Sequence, residues 1–207
     1  ESIDYYQVWD EPNLTATWGG LEPRPADYAA LLQETYGAIH SADGEATVIM
    51  GALAPTTETG PKNISDILFL SDLYALGAQS YMDAVGAKPY GFDQSPEDRT
   101  VNPNTLNFSR IIALREEMVR NGDATKAVWA MNWGWNSLPK NWTGRPSIWG
   151  QVTGAQQVDY TITALDRAER EWPWLAGMIL QQWQPVAPID DPVWGFALIN
   201  QQNRPTA

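Results

Sequence analysis

Five short runs of apolar and β-branched residues punctuate the chain, and between them apolar positions recur every three or four residues. The first run, Asp4-Tyr5-Tyr6-Gln7-Val8-Trp9, ends at Asp10-Glu11-Pro12-Asn13 and predicts a strand followed by a loop. Pro25-Ala26-Asp27 then opens a helix in which Tyr28, Leu31, Leu32, Tyr36 and Ile39 fall at helical spacing, up to a stop at Gly44. Thr47 to Leu53 predicts a buried strand closed by Pro55, and a second helix starts near Ser65 with Ile67, Leu68, Leu70, Leu73 and Leu76 along its apolar face. A third strand is expected over Asp83 to Tyr90, and a third helix over Phe108 to Asn121 with Ile111, Ile112, Leu114 and Met118. Ala127 to Met131 predicts a fourth strand, Gly154 to Glu171 a fourth helix with Val158, Ile162 and Leu165 turned inward, and Leu175 to Leu180 a fifth strand.

Strict alternation of buried strands with helices implies an α/β fold of parallel strands joined by right-handed crossovers, either a doubly wound sheet or part of a (β/α)8 TIM barrel. No GxGxxG or GxxxxGK[ST] loop follows any strand, which removes the usual nucleotide cradles. The unusual polar and aromatic residues gather just after strands, at Glu11, Lys88, Asn132, Trp133 and Trp183, where barrel enzymes keep their sites.

At 207 residues the chain suits one domain, 1–207, and no apolar run approaches the length needed to span a bilayer. A net charge of −12 repels polyphosphate, so nucleic acid is not expected as a partner. With no cysteine there is no disulfide or thiolate zinc site; a single histidine, His40, reads as a surface or helix-capping residue and leaves no multi-histidine metal centre. Neither metal nor cofactor is expected. The excess lies in 11 Trp and 8 Tyr, rings that suit cores and equally suit stacking on sugar C–H faces.

Val8-Trp9-Asp10-Glu11-Pro12-Asn13 resembles the W-N-E-P-N strand end of clan A retaining glycoside hydrolases, the superfamily of xylosidases and cellulases, in a family 39-like form. Gly51-Ala52-Leu53-Ala54-Pro55 is similar to the next strand end, Ala87-Lys88-Pro89-Tyr90 to one ending His-Pro-Tyr, and Met131-Asn132-Trp133-Gly134-Trp135 to one ending Glu-Phe-Gly-Trp. Asp191-Pro192-Val193-Trp194-Gly195-Phe196 resembles the family's tail. The resemblance implies the C-terminal portion of a TIM barrel, strands 4 to 8, with strands 1–3 absent from this chain. A free-standing piece would expose strand edges and apolar helix faces, so further sequence or partner chains are expected over the open edge, and Glu1 in place of Met fits that expectation.

A retaining glycosidase needs two carboxyl groups about 5 to 5.5 Å apart. By the resemblance Glu11 holds the acid/base position, but the nucleophile position is Asn132, a neutral amide that forms no glycosyl ester. Asp10 stands where the family has Asn, and Lys88 where it has His. Asp10, Asn13, Lys88, Tyr90, Trp133, Trp135 and Trp183 are the expected substrate-binding residues; against that, Lys88 equally suits an ion pair with Asp10 or Glu11, and the tryptophans equally suit a core. Whether the chain is an enzyme stays open at this point. The leading expectation is a catalytically inactive, glycoside hydrolase-like protein acting as a carbohydrate-binding or structural module of an extracellular or cell-surface assembly. The alternative is a glycosidase or transglycosidase using Glu11 with substrate assistance at Asn132. Four N-x-[ST] triplets, at Asn13, Asn63, Asn107 and Asn141, where roughly one is expected by chance, point to a glycoprotein.

Overall fold

The computed structural model describes residues 3–206, so Glu1 lies outside the described residues. Five strands, β1 (Tyr5–Asp10), β2 (Thr47–Leu53), β3 (Ala84–Ala87), β4 (Ala127–Trp133) and β5 (Leu175–Leu180), form one sheet in the order β1-β2-β3-β4-β5. Every neighbouring pair is parallel. The crossovers carry α1 (Pro25–Ala42), α2 (Asp66–Ala75), α3 (Ile111–Arg120) and α4 (Gly154–Glu171). This is the α/β architecture of a partial TIM barrel.

One face of the sheet meets the helices, and there Tyr28, Leu32, Val48, Met50, Phe69, Leu70, Val85, Met118 and Val128 form a continuous buried core. The other face curls: the ring of Tyr5 on β1 comes within 5.1 Å of Trp129 on β4, although two strands lie between them. Gly177 on β5 makes room for that indole, since a Cβ there would sit 2.6 Å from Trp129.

Several expectations are corrected. The third strand is shorter than expected, and the fourth runs on to Trp133, which carries Asn132 into the strand end. On α4 the stripe Val158, Ile162 and Leu165 is exposed, not inward; the buried residues are Ala164, Arg167 and Ala168. Leu68 and Leu76 of α2 are exposed in the same way. The buried guanidinium of Arg167 explains the rotation of α4: it donates to Pro96 O and Ser109 Oγ (2.8 Å) and lies 5.2 Å over the Trp172 ring. His40, expected at the surface or as a cap, is half-buried in the last turn of α1, and its Nε2 lies 3.2 Å from Asp83 Oδ2.

Arg167 also fixes Glu171, which receives Arg99 from the loop after β3. The hydrogen bonds from Arg99, seconded by Arg167, lower the Glu171 carboxyl from its ordinary 4.5 to about 2. A depressed carboxylate contributes stability that is fully present above the unfolded value and is lost as pH falls through the folded one. The urea midpoint should therefore drop between pH 4.5 and about 2, and Glu171→Gln should flatten that part of the profile. Parallel profiles for the two proteins would show that the pair carries no stability.

Candidate functional site

The first strand ends in two unusual backbone turns. Trp9 has φ 70° and Glu11 φ 50°, left-handed values that cost a bulky residue about 1–2 kcal/mol each. The surroundings hold them there. Gly51 lets β2 approach so closely that a Cβ would lie 2.7 Å from Val8 O, and Tyr28 Oη bridges the strands, donating to Val8 O and accepting from Gly51 N. Glu11 N donates to Ala52 O, Thr17 Oγ1 donates to Glu11 O, and the Trp9 indole donates to Thr17 O. Asn13 then closes the loop with its whole amide: Nδ2 donates to Ala54 O and Ile64 O, and Oδ1 accepts from Ala54 N.

This crank sets Asp10, the last residue of β1, and Glu11, just past it, side by side at the end of the sheet. Lys88, just past β3, reaches across β2 and donates to both, 2.8 Å to Asp10 Oδ2 and 2.9 Å to Glu11 Oε1. Its side chain is 4% exposed, while those of Glu11 and Asp10 are 20% and 53% exposed, so the ammonium is the buried member of the triad. Tyr90, two residues on, belongs to the same field. Burial raises its phenol pKa most, and the charges of Glu11 and then Asp10 raise it further. Its hydroxyl donates to Gln181 Oε1 at 2.6 Å, tying the end of β3 to the end of β5. Gln181 escaped the sequence reading, although its position directly after the fifth strand was the available signal.

Asn132 sits half-buried at the end of β4, and among the described residues its side-chain amide makes no hydrogen bond. Its neighbours do not join it. Trp133 and Trp135 are each 1% exposed and pack against Phe108 on the helix side, with Trp135 Nε1 donating to Gln94 O. Trp135 fills the space beside Gly91 so completely that a Cβ there would overlap the indole. These rings are core, not sugar platforms, and Asn13 is a loop fastener with no exposed surface. The ring of Tyr90 is likewise covered, by Phe196 and Trp149. Of the aromatic residues expected to stack on sugar, Trp183 alone presents its ring, 70% exposed beyond β5.

Of the four glycosylation candidates, Asn13 and Asn107 are buried, Asn107 through bonds to Asp98 Oδ2 and Thr100 O, and the folded chain has no room for a glycan at either. Asn141 is exposed and Asn63 partly so. No group of three or more metal-binding side chains occurs among the described residues, and no described helix is long and apolar enough to cross a membrane.

No family model matches the sequence, and no curated protein matches it. Solved structures do. An α-L-arabinofuranosidase from Thermotoga maritima superposes with a TM-score of 0.65 at 12% identity, over 98% of this chain and 36% of the other. AbfB, a family 51 α-L-arabinofuranosidase from Bifidobacterium longum, gives 0.63 at 13% identity over 96% and 40%. A glucosidase from Croceicoccus marinus gives 0.58 at 15% identity over 87% and 33%. The chain thus spans between a third and two fifths of the length of these proteins, and the likeness shows the fold: the five strands and their helices are arranged as in part of a glycoside hydrolase-like (β/α)8 barrel.

Proposed function

We propose that the chain is part of a glycoside hydrolase-like protein whose strand-end site binds carbohydrate without hydrolysing it, in an extracellular or cell-surface assembly. The observation that carries this reading is the ammonium of Lys88 held between Asp10 and Glu11. A retaining mechanism needs one carboxyl group free to protonate the leaving oxygen and a second placed to attack. Here the acid/base candidate is engaged by Lys88, and the second position holds the amide of Asn132. The same groups suit binding: Asp10 and Glu11 offer acceptors to hydroxyls, Asn132 offers an unengaged amide, and Trp183 offers an open ring.

The test uses the full-length protein on a glycan array and on aryl glycosides with and without an acetamido group. Glycan binding that weakens at least about tenfold in Trp183→Ala, roughly 1.4 kcal/mol, with no turnover of any aryl glycoside, is the expected result. Turnover that Glu11→Gln abolishes would overturn it, and turnover confined to acetamido glycosides would identify Asn132 as the residue orienting a substrate-assisted attack.

A further inference from the structure

A second concavity lies away from the Asp10, Glu11 and Lys88 triad. It has a volume of about 600 Å3 and is an open cleft lined by the loop after β4, the first turn of α4 and the segment after β5. That size falls within the range of small-molecule sites, about 300–1,000 Å3. None of the strand-end residues described above lines it.

Three features of its wall define the ligand it fits. The first is charge: although the chain carries −12, among the described residues no aspartate or glutamate lines the cavity and Lys140 is its one cation. The nearby acids Asp190 and Asp191 are drawn to Arg145, which lies 3.6 and 2.5 Å from them. One lysine does not make a phosphate site, and the first turn of α4 is already occupied by its own capping box, Thr153 accepting from Gln156 N and Gln156 Oε1 accepting from Thr153 N. The ligand is therefore neutral.

The second feature is the amide inventory. Gln151, Gln157, Asn200, Gln201 and Gln202 all line the cavity, a wall of amides that suits a polar ligand better than a purely apolar one. Gln157 Nε2 donates to Trp135 O and Gly195 O, and Gln151 Nε2 donates to Leu138 O. Both donors of Gln157 are thus spent, Gln151 keeps one, and both side chains retain carbonyl oxygens as acceptors, which matches a hydroxyl-rich ligand. The third feature is aromatic. Trp142 and Trp194 line the wall with their indole N–H groups already given to Arg145 O and Pro188 O, so what they offer a ligand is ring surface.

From this combination we infer a second carbohydrate site, for a neutral oligosaccharide, between the β4–α4 loop and the segment after β5. It stands on residues separate from the strand-end triad, so it succeeds or fails independently of the function proposed for that site. The experiment titrates the full-length protein with cellohexaose, xylohexaose, maltohexaose and, as the charged control, hexagalacturonate, by calorimetry. At least one neutral hexaose should still bind in the Trp183→Ala background, where the strand-end site is weakened, and at least about tenfold more weakly once Trp194→Ala is added. Trp142→Ala, on the more open loop, gives the same reading if Trp194→Ala does not fold, and near-ultraviolet circular dichroism establishes which variants are folded. Binding that is lost in Trp183→Ala but kept in Trp194→Ala and Trp142→Ala belongs to the strand-end site and overturns the inference. So does absence of binding by all three neutral hexaoses at millimolar concentration, or tighter binding of hexagalacturonate; a chain segment filling the cavity in the full-length protein would read out as that absence.

Discussion

Replacing Arg110 with Met is expected to destabilise the chain by about 3–5 kcal/mol, as breaking one partner of a buried ion pair does. Arg110 is 2% exposed, and so is Asp66, its partner at the start of α2. Every donor of the guanidinium is used. Nε and Nη2 hold both oxygens of Asp66, at 2.6 to 3.0 Å, Nη1 donates to Pro103 O and Thr105 O, and Nη2 also reaches Thr56 O and Ser65 Oγ. One side chain thus ties the loop after β2 to the loop after β3. Burial pushes the Asp66 carboxyl up and Arg110 opposes that push, so removing the cation leaves an acid with no counter-charge and several unpaired carbonyls. The double variant Arg110→Met with Asp66→Leu removes both charges and should recover part of the loss. Chemical denaturation checks both. A single variant within about 1 kcal/mol of the parent would show that the pair does not hold the loops.

The strand-and-helix order could be read from the sequence because it rests on local information: short β-branched runs bounded by Gly and Pro, and apolar spacing of three and four residues between them. The position of the site followed from the same order, since the residues beyond each strand share one end of a parallel sheet. Lys88 illustrates both the reach and the limit of such reading. Its type and place made an ion pair with Asp10 or Glu11 one of two open alternatives, and the structure shows it paired with both. Periodicity, however, identifies an apolar stripe without saying what covers it, and on α4 the stripe of Val158, Ile162 and Leu165 faces outward. Tryptophan has the same chemistry in a core as beneath a sugar, and only the neighbours Phe108 and Gly91 settle Trp133 and Trp135 as packing. Buried arginines leave no trace in a hydrophobic pattern. Arg110 and Arg167, which organise the loops around the strand ends, have partners 44 and 58 residues away that no local pattern reveals.

Those contacts sharpen what restoring a carboxylate at position 132 should achieve. Asn132→Glu alone is expected to give feeble glycosidase activity in the full-length protein, because a new carboxylate beyond β4 adds an attacking group but leaves the triad as it stands. Lys88 would still be 2.9 Å from Glu11, engaging the oxygen through which a proton would pass. Asp10 would still present charge where the resembling family holds a neutral amide against a sugar hydroxyl, a contact whose strengthening in the transition state adds to the rate. Asn132→Glu combined with Asp10→Asn and Lys88→His releases both constraints. It should exceed the single variant by at least about tenfold in kcat/KM on an aryl glycoside, equivalent to ~1.4 kcal/mol of transition-state stabilisation. Because Lys88 is nearly buried, the triple variant also exchanges a satisfied ion pair for a neutral ring, so its thermal stability is measured beside the rate to separate lost folding from lost chemistry. Equal rates for the folded single and triple variants would mean that Asp10 and Lys88 are bystanders to hydrolysis, and that Asn132 alone keeps the site from turning over.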